Sequence, residues 1–341
     1  MHASSVVRIA FALALACATV NAANAQTTTA RIVSAADAFL ATLDAKQRDT
    51  LLYAFDDEKQ RVRWSNFPTA MARRGGLSLQ ELTVQQRSAA MALVASALSH
   101  RGFEKIQQIV EADEVLKISE GNRPLFGRDL YYISILGEPS RTAPWILQFG
   151  GHHLALNITI AGEHGVLTPT LTGAQPALYT ANGATVRPLG QESDKAVALL
   201  NALDATQRKQ ATLSYRLADL VLGPGQDGKT IQPEGLQGTA MNERQRALLL
   251  DLISEWANIV HESAAAERMT EIKAGLDDTW FAWSGPTDVA SGRNITAYYR
   301  IQGPALVIEY APQTLGGDPA MHVHTMYRDP TNDYGRKLTA Q

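Results

Sequence analysis

The chain has 341 residues, 31 basic against 34 acidic, and one cysteine. That near balance gives no basic footprint for nucleic acid and no polybasic patch for anionic lipid. The length suffices for one large domain or two ordinary ones.

Taken in chain order, the first stretch is not read as fold. Arg8 ends a short basic region, Ile9–Val20 is an apolar run too short to span a bilayer, and Ala23-Asn24-Ala25 offers a small-residue cleavage site before Gln26. Residues 1–25 are therefore expected to be a Sec-type signal peptide, cleaved after Ala25, with the product periplasmic or secreted. Lipidation at Cys17 is the weaker reading, because Ala14 stands where a larger aliphatic residue is usual. The mature chain would then keep 341 − 25 = 316 residues and, with Cys17 removed, no thiol ligand or nucleophile. Losing Arg8 leaves 30 basic against 34 acidic residues, a net charge of −4. No later apolar run is long enough to span a membrane.

Ala35–Phe55 has helical apolar spacing (Phe39, Leu43, Leu51, Leu52, Phe55). A polar-aromatic loop carrying Trp64, Ser65, Asn66, Phe67 and Pro68 follows. Thr83–Ser99 reads as a strong helix, Glu104–Asp113 as a shorter one, and Leu130–Leu136 as a strand. Trp145–Ile160 then reads as a β-hairpin, with Gly150-Gly151 as its tight turn and His152 and His153 just past it.

The second half replays this order. Leu43-Asp44-Ala45-Lys46-Gln47-Arg48 returns 160 residues later as Leu203-Asp204-Ala205-Thr206-Gln207-Arg208. Gly76-Leu77 and Gln86-Arg87 return 159 residues on, at Gly235-Leu236 and Gln245-Arg246. The hairpin returns within Thr296–Tyr310, with Gly303-Pro304 at its bend. A period this long reads as a duplicated module. The expected fold is α+β, an internal duplication of two halves, each a helical group followed by an antiparallel β-meander. The expected organisation is residues 26–190 for the first half and 191–341 for the second. The repeat also serves as a control: GGHHL in the first half stands as QGPAL in the second, so the hairpin does not need histidine to fold.

Seven histidines remain after residue 25, and four stand in two pairs. His322 and His324 are two apart on an expected strand, Met321–Tyr327, so both face one way. With His152 or His153, or both, they would offer imidazoles to one metal and leave a catalytic-type open position. Without cysteine the metals that fit are zinc(II), copper(II) or iron(II), with zinc or copper favoured. Sharing one ion requires the nearest nitrogens of the two pairs to lie within about 6 Å. The plainer reading is that His152 and His153 bond turn carbonyls while His322 and His324 decorate a strand.

The tail from Arg328 to Gly335 is dense in turn formers, which explains much of it. Functionally, Asp329 or Asp333 would orient a ligand or act as general base, and Arg328, Asn332 and Tyr334 would hold a substrate. Trp64, Asn66 and Phe67 would wall the pocket, against the plainer role of sealing a core edge. Arg73-Arg74 is a weaker anion-site candidate. No nucleophile elbow, phosphate loop or dinucleotide fingerprint occurs.

At Gly150-Gly151-His152-His153-Leu154 with Asn157, and at His322-x-His324 followed by Arg328-Asp329-Pro330, Asn332, Asp333, Tyr334 and Gly335, the sequence resembles the domain of unknown function 3500 family. Those are mostly bacterial, often exported proteins. The likeness extends over nearly all the chain past the leader, including the Trp64–Pro68 loop. It supports the fold reading and implies no activity. Two functions follow as expectations. The first is an exported metal-site protein, and if an enzyme, one in which metal-activated water or bound dioxygen reacts. The alternative is a metal-free envelope module that binds a small molecule or a partner without catalysis. A metal-free His–Asp hydrolase is a third, and its activity would survive chelation.

Overall fold

The structure, a computed structural model, describes residues 27–339. The signal peptide expected at residues 1–25 lies outside them. The chain opens with a helical group: α1 (Thr28–Ala41), α2 (Ala45–Leu51), α3 (Glu58–Arg61), α4 (Val84–Ala97) and α5 (His100–Ser119). Strands β1 (Leu52–Tyr53) and β2 (Leu77–Ser78) lie between them. Capping sets the helix boundaries. The helix expected over 35–55 is two, because Asp44 accepts the Gln47 N–H while the Gln47 side chain accepts the Asp44 N–H, and a new helix starts there. Thr83 and Gln86 start α4 in the same way. Ser99 caps α5, which runs past both ends of the expected Glu104–Asp113 helix.

A meander follows: β3 (Tyr132–Leu136), β4 (Trp145–Gly151), β5 (Leu154–Ala161), β6 (His164–Val166) and β7 (Thr170–Ala174). A small hairpin, β8 (Tyr179–Ala181) and β9 (Ala184–Val186), leads to the second helical group. That group is α6 (Gly190–Ala202), α7 (Ala205–Ala211), α8 (Glu243–Ala257) and α9 (Glu262–Ala274), with β10 (Leu236–Gln237) ahead of α8. The chain ends in β11 (Trp280–Ser284), β12 (Tyr298–Gly303), β13 (Leu306–Pro312), β14 (Val323–Arg328) and α10 (Arg336–Thr339).

The architecture is mixed α/β around one large, mostly antiparallel sheet. Its order is β1-β3-β4-β5-β7-β14-β13-β12-β11-β10, with β2 on β3 and β6 on β5. The two meanders meet at the sheet centre, where β14 pairs antiparallel with β7 and sets His324 opposite Gly173. The final strand of the chain is thus buried between β13, which precedes it, and β7 from the first meander.

Period-two alternation gives the sheet two different faces. One packs on helices in two apolar cores. Ile133, Leu147, Phe149, Leu156 and Ile158 join α1, α4 and α5. Trp283, Tyr299, Ile308 and Tyr310 join α6 and α8. The other face carries Gln148, Asn157, Arg300, Glu309 and Arg328, all buried, beneath the segments 54–76 and 212–235. Buried polar groups need partners, and here they bind the covering loops. Glu309 accepts the N–H groups of Val221 and Leu222, at 2.7 Å each, and the Tyr298 hydroxyl at 2.6 Å. Those bonds seat the loop that brings Asp219 to the histidines.

Candidate metal centre

The histidine hairpin differs from its sequence reading in one respect. β4 runs through Gly150 and Gly151, and the two-residue turn is His152-His153 itself. The glycines answer close approach instead: a Cβ on Gly150 would lie 2.4 Å from the Leu154 carbonyl oxygen, and one on Gly151 would lie 2.9 Å from the Leu130 carbonyl and the Tyr131 ring. The turn places His153 at φ +61, the left-handed region that costs an ordinary side chain about 1–2 kcal/mol. The Tyr131 hydroxyl donates to the His152 carbonyl at 2.9 Å, and the Asn66 carbonyl accepts the His153 N–H at 3.3 Å. The hairpin tip is held from both sides.

The adjacent histidines diverge. His152 turns its Nδ1 to Asp113 Oδ1 at 2.6 Å, and Asp113 Oδ2 accepts the Gly127 N–H at 2.8 Å. His153 turns to the C-terminal pair. Its Nε2 lies 2.9 Å from His322 Nε2, which lies 3.1 Å from His324 Nε2. Among the described residues, His153, His322 and His324 form a group that could hold a metal ion, with one ligand atom from each lying within 4.8 Å of the others. The nearest approach of the two pairs is far inside the 6 Å limit. His152 is not part of the group; its ring lies against that of His153, centroids 3.7 Å apart.

The outer nitrogens decide what the inner ones present. His322 Nδ1 meets the Leu315 carbonyl at 2.7 Å, a pure acceptor, so that nitrogen carries the proton and Nε2 a lone pair. His324 Nδ1 faces the Asp219 carboxylate at 3.3 Å, which favours the same tautomer; the Asn66 Nδ2 donor at 3.4 Å favours the opposite one and is the weaker partner, being uncharged. Two lone pairs then point at each other across 3.1 Å, an arrangement that a cation between them stabilises. Tetrahedral bonds of about 2.0–2.1 Å set donor nitrogens roughly 3.3 Å apart, close to two of the spacings here, 2.9 and 3.1 Å, while all three atoms lie within 4.8 Å of one another. Burial first, then the neighbouring imidazoles, holds His153 well below its usual range and brings His322 down to about 4. Both are therefore neutral, the ligand form, at physiological pH.

Residues 25–336 match a family described as a protein of unknown function, DUF3500. The chain belongs to that family. Neither a curated protein nor a solved structure matches it. No helix among the described residues is long and apolar enough to cross a membrane.

The remaining sequence candidates divide in two. Asn66 is at the centre, touching His153 and His324, and Phe67 beside it is 52% exposed. The tail residues lie elsewhere. Asp329 is five residues past His324 along a strand, about 16 Å away at the usual rise. Its carboxylate accepts from Arg268 at 2.9 Å and from the Thr331 N–H and hydroxyl. Asp333 accepts Arg328 Nη1 at 2.8 Å and the Asp329 N–H at 2.9 Å. Both carboxylates, expected beside the histidines, bond Arg268, Arg328 and the tail turn instead. Arg328 is 1% exposed and donates to the Leu222 and Gly223 carbonyls, Asp227 and Asp333, with Trp64 over its guanidinium. Trp64 Nε1 donates to the Tyr334 hydroxyl, which donates to Asp227. The Asn332 side chain accepts the Lys337 N–H. These contacts make Trp64, Arg328 and Tyr334 parts of one interior lock, while Asn332 closes the tail turn at the surface. Arg74 donates to the carbonyls of Ser65, Phe67 and Gly151, pinning the loop to the hairpin.

Sequence reading missed Asp113, Asp219 and the Leu315 carbonyl. Asp113 lies within a helical stretch and Asp219 in a loop about 100 residues from His324, and neither carries a local signal.

Proposed function

We propose that this is an exported protein with a mononuclear transition-metal centre, zinc or copper, held by His153, His322 and His324. One observation carries the reading: three buried Nε2 atoms converge while the Nδ1 partners of His322 and His324 turn lone pairs inward. Three neutral nitrogens leave a fourth position for water or an oxygen ligand, the arrangement used for metal-activated water. Asp219 stands beside His324 as the orienting carboxylate, the role first expected of Asp329 or Asp333. The strained φ at His153 supports the reading, since such strain persists where the side chain has a task. Export rests on the leader pattern, and the family match begins at residue 25, next to the expected cleavage point. The two halves, 26–190 and 191–341, are read as a duplicated module, on the recurring capping boxes at Asp44 and Asp204 and at Thr83 and Asn242.

The test is elemental analysis of untagged protein purified from its native compartment, beside His322→Ala/His324→Ala. The expected result is close to one zinc or copper per chain, lost in the double variant. A metal-free protein that also refuses added Zn(II) and Cu(II) overturns the proposal. The alternative, a metal-free ligand-binding module, has one observation in its favour. A cleft of about 620 Å³ opens on the helical side between α5, α6 and α8. Its floor is an ion network in which Lys105 reaches Glu192 at 2.5 Å and Glu255 at 3.2 Å. Lys105 bridges the two carboxylates across the helical groups and leaves Glu192 Oε2 without a partner among the described residues, but no converging ligand set stands there, so the cleft ranks second.

A further inference from the structure

The cleft on the helical side, about 620 Å³, has the volume of a small-molecule site. It lies where the two helical groups meet. Lys105 and Gln108 of α5 line it together with Glu192 of α6, Glu255 of α8 and Ala266 of α9.

The two buried carboxylates there are not equally served. Glu255 spends both oxygens, Oε2 on Lys105 at 3.2 Å and Oε1 on Lys195 at 2.7 Å. Glu192 is 0% exposed and accepts Lys105 through Oε1 at 2.5 Å, but its Oε2 has no partner among the described residues. A buried carboxylate oxygen without a donor is costly, and a proton placed on it would itself need an acceptor. Burial raises the Glu192 pKa against the pull of Lys105, so one cation does not fully offset the lost water.

The partner that suits Oε2 is a cation with an N–H to give. Four glutamates (104, 192, 255 and 262) line the cleft against Arg101, Lys105 and Arg187. Arg187 is already spent on Asp194, at 2.8 and 3.2 Å. No Phe, Tyr or Trp among the described residues lines the cleft, so nothing cages a quaternary ammonium. Glu255 supplies the precedent, one carboxylate between two ammonium groups.

We infer that the cleft binds a small organic primary amine, whose ammonium donates to Glu192 Oε2 while its carbon chain lies between the two helical groups. The inference is independent of the metal reading, since none of the three histidines lines the cleft.

The experiment titrates n-butylamine at neutral pH into the isotope-labelled full mature chain and follows the amide NMR shifts of Gly102, Gln108 and Gln191. Butyltrimethylammonium carries the charge without an N–H, and n-butanol carries a donor without the charge. Butylamine is expected to bind once per chain, about 10–100-fold more tightly than either, the worth of a hydrogen bond to a charged group. Glu192→Gln is expected to remove that margin. Ala266→Phe fills the cleft from an exposed wall position outside the ion network, so it should keep the fold and block the amine even where Glu192→Gln does not fold. Equal affinity for the three probes overturns the inference, as does unchanged butylamine binding in either folded variant. No shift with butylamine at tens of millimolar also overturns it and leaves Oε2 to an ordered water.

Discussion

His153→Asn tests whether the hairpin tip is built for a metal or for stability. His153 is 2% exposed, and truncating a buried ring of that size ordinarily costs about 2–4 kcal/mol. One feature of this position offsets part of the loss: its φ of +61 lies in the region that costs an ordinary side chain about 1–2 kcal/mol and that asparagine enters readily. Without metal, His153 Nε2–H donates to the His322 Nε2 lone pair 2.9 Å away, a bond worth about 1 kcal/mol that the substitution removes. The substitution should therefore lower the stability of the chelated protein by about 1–4 kcal/mol. His152→Asn is the control from the same turn. It breaks a 2.6 Å bond to a carboxylate that is 2% exposed, and a buried group left unpaired costs about 1–3 kcal/mol. Both are read by denaturant unfolding, with chelator and with excess Zn(II). In the wild type, free metal at 100 times its dissociation constant adds about 2.7 kcal/mol, and His153→Asn should lose that gain. If His153→Asn keeps the full response to metal, or His152→Asn loses it, the assignment of His153 as the ligand is wrong.

Three further outcomes are expected. Gly173 lies opposite His324, and a Cβ there would stand 2.8 Å from the Val323 carbonyl and 3.2 Å from His153 Cδ2; Gly173→Ala should weaken metal binding about 10–100-fold, as disturbed ligand supports do, while circular dichroism stays unchanged. Arg328→Met removes the cation from a buried network and leaves Asp227 and Asp333 facing each other, so it should lower stability by about 3–5 kcal/mol, measured by urea unfolding. Any folded fraction should keep its metal, since Arg328 bonds Leu222, Gly223, Asp227 and Asp333 and none of the three histidines. His261 caps α9 through Nδ1, and burial lowers its pKa from 6.5, so the unfolded chain binds its proton more readily. Its contribution to stability is then fully present above about pH 6.5 and is lost as pH falls towards the lower folded value. His261→Asn keeps the cap and should flatten that part of the pH–stability curve.

Much of the local structure was readable because its causes are local. The helix starting at Ala45 follows from Asp44 and Gln47, two residues three apart whose side chains accept each other's backbone N–H. The strand alternation of Leu154, Leu156, Ile158 and Ile160 follows from one face being buried. The hairpin was readable too, but its turn was misplaced by two residues. Gly-Gly is the usual mark of a bend, whereas here close approach to Leu154 and Tyr131 demands the glycines. The tail motif misled in a similar way. Arg328, Asp329 and Asp333 have the chemistry of a site, and only their partners reveal that they close a turn and anchor a loop.

By itself the amino-acid order determined the α+β character, the places of the main helices and of the histidine hairpin, and the two histidine pairs as the place to look. Their meeting was decided by tertiary structure. His153 and His322 are 169 residues apart and come within 2.9 Å because β14 inserts beside β7, a pairing set by the packing of the whole sheet. The same is true of the groups that orient the ring nitrogens. Asp219 and Asn66 arrive on loops whose positions are dictated by a buried glutamate, an arginine and a polar sheet face. A ligand set depends on angles and tautomers, and these come from neighbours in space that the linear pattern does not encode.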